Sequence, residues 1–318
     1  MEKRVPVLSG WLMVVSLLVS LGCASTPAVS DESSPKLADD GDLPSGIWKV
    51  SSGEVLELDE FLDQIEEADF VLVGESHGDE WHHKAQQEIY AGLTARRPGH
   101  VMLGMEMVEY QFQDAIDAYL AGTINESQML TRVEWGERWR VDERNYAPMW
   151  RQAQQYEQQV VALNARRELV RKVAQEGIEG LTPAESQELP EMDLSNEEYR
   201  RYLQRIYESH DMGDGEDGLE RFFQAQVLWD EFMAQKAFEY KTASDDQQMV
   251  ILTGRGHVER GYGIPSRLIR RGAQPEAVVT VVPVTIRGGR AAPMKKYRDL
   301  EFLREQNIAD YVWIQEGR

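Results

Sequence analysis

The chain has 318 residues, 42% of them hydrophobic and 28% charged, which is enough apolar material for one large domain and too much for a disordered tail. Its formal net charge of −21 repels nucleic acid and anionic lipid, so composition argues against nucleic-acid binding. The only cysteine is Cys23, so no disulfide can form within the chain and burial must hold the fold.

Residues 1–22 have the layout of a signal peptide. Lys3 and Arg4 precede an apolar run over 11–21 that is too short to span a bilayer comfortably and stops at Gly22-Cys23. Cys23, directly after a glycine, resembles the acylated cysteine of bacterial lipoproteins, although Ser20 and Leu21 stand where that motif usually has leucine and a small residue. The resemblance implies cleavage before Cys23 and lipid attached to it. Ala24 in the next place, where aspartate would favour the inner membrane, implies the outer membrane; simple secretion and a retained anchor are the alternatives. Residues 23–45, rich in Ser, Pro, Asp and Gly, read as a flexible tether, and the folded domain is expected over 46–318.

Residues 47–50 and 55–58 read as a small hairpin, followed by a short helix over 58–65 that Asp59 is placed to cap. The run Phe70-Val71-Leu72-Val73-Gly74 then reads as a buried strand of a parallel sheet, and it turns polar at once in Glu75-Ser76-His77. Trp81, Ala85, Ile89 and Leu93 recur every four residues, the pattern of one helix face packed on a sheet. His82 and His83, in the first turn of that helix, read as solvated or capping residues. Residues 101–106 form a second strand ending in Glu106, and such a strand–helix–strand unit puts both strands parallel.

Far downstream the pattern returns. Met249-Val250-Ile251-Leu252-Thr253 runs into Gly254-Arg255-Gly256-His257, so two strands end in Gly-x-x-His, 180 residues apart. Ligands bind beyond the carboxyl ends of strands in open α/β sheets, so His77 and His257 can converge there with Glu106. Two histidines and a carboxylate are a common ligand set for a first-row metal, which would leave Glu75 as a base; the bland alternative is a set of hydrogen-bonded structural residues.

Residues 108–150 read as helical. Trp135, Trp139, Tyr146 and Trp150 gather there with Arg132, Arg138, Arg140 and Arg144, either as core with surface ion pairs or as a wall for a flat ligand whose carboxylates meet the arginines. Residues 160–164 form a third buried strand ending at Asn164. From 166 to about 245 only helical segments are found, and the acidic loop 210–218 lacks the ligand spacing of a calcium site and reads as a turn. Strands over 249–253, 278–286 and 311–314 and a helix over 265–271 close the chain. The expected fold is therefore α/β, a mostly parallel central sheet flanked by helices, with an all-helical insert at about 166–245 forming a smaller subdomain.

Several of these segments together resemble one family. Val73-Gly74-Glu75-Ser76-His77, Glu106, Gln224-Ala225-Gln226 to Asp230, Gly256-His257, Gly261-Tyr262-Gly263-Ile264-Pro265 and Ala309-Asp310-Tyr311-Val312-Trp313 are similar, in order and spacing, to the ChaN haem-binding lipoproteins. ChaN shares a superfamily with the Tiki proteases and the erythromycin esterases. The resemblance implies an envelope lipoprotein serving haem or iron uptake, more a binding protein than an enzyme, that holds haem as a face-to-face pair in a homodimer through a tyrosine assisted by a histidine. Tyr207 with His210, in the helical insert, is the candidate pair, against competition from Tyr146, Tyr199 and Tyr202. The Tiki branch implies the alternative: a metal-dependent hydrolase with a divalent ion on His77, Glu106 and His257 and Glu75 as base. A third expectation is an envelope interaction protein with a vestigial cleft.

Overall fold

The computed structural model describes residues 43–210, 215–244, 246–286 and 293–317. The expected signal peptide and Cys23, most of the tether, and the centre of the 210–218 loop lie outside the described residues. Among the described residues no helix is long and apolar enough to cross a membrane.

The strands are β1 (Gly46–Lys49), β2 (Glu54–Leu56), β3 (Phe70–Glu75), β4 (Val101–Glu109), β5 (Val160–Asn164), β6 (Gln248–Gly254), β7 (Val278–Ile286) and β8 (Tyr311–Glu316). They form one sheet in the order β2-β1-β8-β7-β3-β6-β4-β5. From β8 to β5 every neighbouring pair is parallel, and the β1–β2 hairpin adds an antiparallel edge beside β8. The expected α/β sheet is thus present.

The helices are α1 (Leu58–Ile65), α2 (Glu80–Arg96), α3 (Gln113–Leu120), α4 (Glu126–Arg132), α5 (Trp135–Arg138), α6 (Ala147–Gln155), α7 (Arg167–Glu176), α8 (Pro183–Ser186), α9 (Glu197–Ser209), α10 (Gly215–Ala243), α11 (Ile264–Arg271) and α12 (Leu300–Glu305). The α1 start is capped differently from the expectation. Glu57 is the N-cap, its N–H donating to Glu60, while Asp59 turns outward to Arg96.

Strand β3 shows how the layers are set. Val71 and Val73 point into a core shared with α1, α2 and the helices of 113–155, whereas Phe70 and Leu72 point into the opposite core with α10, α11 and α12. The β3–α2–β4 crossover therefore lies on one face and the β6–α11–β7 crossover on the other. Between β3 and β6 the chain changes face, and that switch point is where an open sheet leaves a crevice beyond its strand ends.

Two satellite cores extend the second face. Helix α7 packs on α10 through Leu169, Val170, Val173, Leu228 and Phe232, and α9 packs on α10 through Tyr199, Leu203, Tyr207, Phe222 and Phe223. The 29-residue α10 is buried on several sides, as the spine of a helical layer must be.

Candidate functional site at the sheet edge

The three residues expected to converge do so across adjacent strands. Glu106 sits near the end of β4, Gly254 and His257 follow β6, and His77 follows β3, which flanks β6 on its other side. Strand β4 runs three residues past Glu106, to Glu109, with a register irregularity against β5 between Met105 and Glu109. Asn164, at the end of β5, holds that bulge by donating its amide to the Glu106 carbonyl at 2.8 Å.

Each imidazole is backed by a buried carboxylate. His77 Nδ1 lies 2.6 Å from Glu75 Oε1, and His257 Nδ1 lies 2.7 Å from Asp230 Oδ1. With Nδ1 committed in both, the free Nε2 atoms face the Glu106 carboxylate: His257 Nε2 is 3.7 Å from Glu106 Oε1. Glu106 Oε2 accepts from Thr253 Oγ1 at 2.7 Å and from the Gly254 N–H at 2.6 Å. A methyl group at Gly254 would sit 3.1 Å from His77 Nε2 and 3.6 Å from Glu106 Oε2, so the absent side chain leaves the space between these groups clear. Gly263 is needed for another reason, since a Cβ there would meet the His257 carbonyl oxygen at 2.3 Å.

A phenol completes each pair. Tyr146 donates to Glu75 Oε1 and Tyr199 to Asp230 Oδ2, both at 2.6 Å and both fully buried. Glu75 also meets His83 Nδ1 at 2.8 Å. Burial opposes its ionisation, yet the His77 and His83 imidazoles hold the Glu75 carboxyl well below the usual carboxylate range. A carboxylate so committed orients its neighbours and is a weak proton acceptor. Burial also opposes protonation of His257, but the charges of Glu106 and Asp230 prevail and hold it up at about 8. For His77 the same contest, with Glu75 as chief partner, again ends upward.

His82 and His83 are not solvated. Both are buried: His83 belongs to the Glu75 cluster, and His82 Nδ1 accepts the Ser76 N–H at 2.8 Å, tying the turn after β3 to α2. The aromatic cluster resolves mostly as core. Trp135, Tyr146 and Trp150 pack edge to face, and Arg138 and Arg144 form ion pairs. Only Trp139 of that group is half-buried, its ring perpendicular to that of His77 with 4.8 Å between ring centres.

Tyr207 and His210 lie in the helical layer, not at the sheet edge. The Tyr207 ring is buried against Phe222, and His210 closes α9 with Nδ1 2.9 Å from the Ile206 carbonyl. Of the competing tyrosines, Tyr146 and Tyr199 have their hydroxyls committed to buried carboxylates, while Tyr202 is half-buried with the Arg260 guanidinium 5.2 Å from its ring centre. Asp230 and Tyr199 were not expected at the sheet edge. The signals in the sequence are the place of Asp230 at the end of the Gln224-Ala225-Gln226 segment and the pair Asp230-Glu231 set among Val227, Leu228, Phe232 and Met233, where ionised groups need partners.

His77, Glu106 and His257 supply donor types suited to a divalent metal. Yet among the described residues no three His, Cys, Asp or Glu side chains are arranged to hold one.

The sequence matches the family model described as "Haem-binding uptake, Tiki superfamily, ChaN" over residues 61–268. Among solved structures, the fold is similar to that in "Cofacial heme binding to ChaN of Campylobacter jejuni", with a TM-score of 0.63 and 17% identity over 84% of this chain and 94% of that one. An erythromycin esterase in its open conformation is matched at a TM-score of 0.43 and 12% identity, over 79% of this chain and 81% of that one. No curated protein matches the sequence.

Proposed function

The chain belongs to the ChaN family of the Tiki superfamily, described as haem-binding uptake proteins, and on that ground we propose that it binds haem as an envelope lipoprotein serving haem or iron uptake. The observation that carries the reading is the family match over 61–268, which takes in the sheet edge and the whole helical layer including α9. Lipid attachment at Cys23, an outer-membrane location and a haem-bridged homodimer belong to the same proposal. They are supported by the leader at 1–22 and by the cofacial haem named for the Campylobacter protein.

A phenol oxygen is an established axial ligand for haem iron. Tyr207, in the last turn of α9, with His210 three residues on as the residue that closes the helix, is the candidate ligand pair. Tyr202 is the alternative, because it is half-buried and Arg260 and Arg205 lie near enough to meet propionates. Haemin titration of the mature protein tests this. The expected outcome is a shifted Soret band that Tyr207→Phe weakens at least about tenfold, the scale of losing one charge-assisted contact. An unshifted spectrum, or full binding by the Tyr202→Phe/Tyr207→Phe double variant, would remove the reading.

A further inference from the structure

The segment between α4 and α6 carries features that the haem reading does not use. Residues 134–140 include α5, and both ends are left-handed at non-glycine positions, Glu134 with φ of 54° and Arg140 with φ of 65°. L side chains seldom adopt that conformation, and it persists only where surrounding contacts enforce it. The enforcing contacts converge on one side chain. Arg138 Nη1 donates to both Glu109 oxygens at 2.8 and 2.9 Å and to Glu168 at 3.0 Å, while its Nε reaches Glu134 at 2.7 Å. A second tie runs from Arg167 Nη1 to the Glu137 carbonyl at 2.8 Å.

The segment is thus fastened to the end of β4 and to α7 by polar contacts at its outer side. At its inner side Trp135 is sunk in the core, its indole N–H bonded to the Val141 carbonyl. Trp139 follows, half-buried, in perpendicular ring contact with His77 and with its N–H 3.3 Å from the Tyr146 hydroxyl. Of residues 136–140 only Trp139 packs against the core, from its margin, and only Arg138 and Trp139 are even half-buried.

We propose that residues 134–140 are a latched strap over the sheet-edge crevice, with Arg138 as the latch and Trp139 as the cover that controls access to His77. When Arg138 leaves Glu109 and Glu168, the strained ends at Glu134 and Arg140 relax and the indole lifts off the imidazole. Trp135 stays in place as the pivot. The proposal concerns the sheet edge and does not depend on where haem binds.

The test uses the mature protein, without haem, in two measurements. Hydrogen exchange reports the opening of 134–140, and modification by diethyl pyrocarbonate, mapped by peptide mass spectrometry, reports access to His77. Arg138→Gln is expected to speed both at least about tenfold while α4, immediately before the strap, exchanges as in the parent. Arg140→Gly removes the strain at one end without touching any Arg138 contact and is expected to slow both. Unchanged His77 reactivity in Arg138→Gln, or acceleration spread equally through α4, overturns the proposal. Should Arg138→Gln fail to fold, Arg140→Gly decides alone: slower opening supports the latch and an unchanged or faster rate refutes it.

Discussion

A histidine on a helix next to a polar turn looks the same in sequence whether it is wet or buried, and His82 and His83 show what decides it. The turn after β3 must bring Ser76 and His77 back over the sheet, and its backbone donors need acceptors out of water. His82 supplies one, so its Nδ1 carries no proton and its neutral form is the folded form. Burial, the largest influence, pushes His82 down to about 4 against the opposing pull of Asp79. An unfolded histidine titrates near 6.5. Between those values the unfolded chain binds more protons, so this contribution is complete above about pH 6.5 and is lost as pH falls toward 4. It amounts to about 3 kcal/mol when fully lost. His257 has the opposite sign, since its raised value favours the fold below 6.5 and that gain disappears as pH rises through about 8. Urea unfolding of the parent and of His82→Asn at pH 4.5, 5.5 and 6.5 separates the two. The asparagine can still accept from Ser76 and does not titrate, so the stability difference between the proteins should change with pH over this range. A constant difference would mean that His82 is ionised in the fold.

Strands were legible because four or more β-branched and aliphatic residues in a row have few alternatives, and all six parallel strands fall where the apolar runs put them. The overrun of β4 to Glu109 was hidden by its carboxylate at 106, which looks like a strand end and is instead an inward charge at a bulge. Asp230 was hidden by the helix that carries it, because α10 is buried on several sides and has no polar face to mark which residues are inside. A further feature legible only in three dimensions is the outer edge of β5. Gln113, at the start of α3, donates its amide to the Val160 carbonyl at 2.8 Å and accepts the Ala162 N–H at 2.7 Å, standing in for a missing neighbouring strand. Removing it leaves one backbone donor and one acceptor without partners on a buried edge, at a cost of about 2–4 kcal/mol. Gln113→Glu keeps the acceptor and loses only the donor, so its cost should be about half. Denaturant unfolding of Gln113→Ala and Gln113→Glu checks the order, and light scattering should show Gln113→Ala associating more readily through the opened edge. Equal stability of all three proteins would mean that water replaces the amide without loss.

For the whole molecule, the largest unexplained quantity is charge. A chain of net charge −21 is proposed to capture a ligand with two propionates, and over long distances it must repel it. Close to Tyr202 positive groups are present beside the negative Glu259: Arg260 stands over the ring and Arg205 acts on the same phenol from α9. The two fields differ in range, and ionic strength separates them. The Debye length shrinks from about 30 Å at 0.01 M salt to about 8 Å at 0.15 M, which removes most of the repulsion while contacts of a few ångströms survive. The association rate for haemin should therefore rise with salt over this interval, by several-fold if the net charge dominates the approach. Arg205→Gln/Arg260→Gln should lower affinity at every salt concentration, because it removes the short-range part alone. Stopped-flow mixing at 0.01, 0.05 and 0.15 M salt distinguishes the cases. A rate that falls with salt would mean that haem approaches through a positive surface elsewhere on the chain and that the arginines around Tyr202 are not its entry.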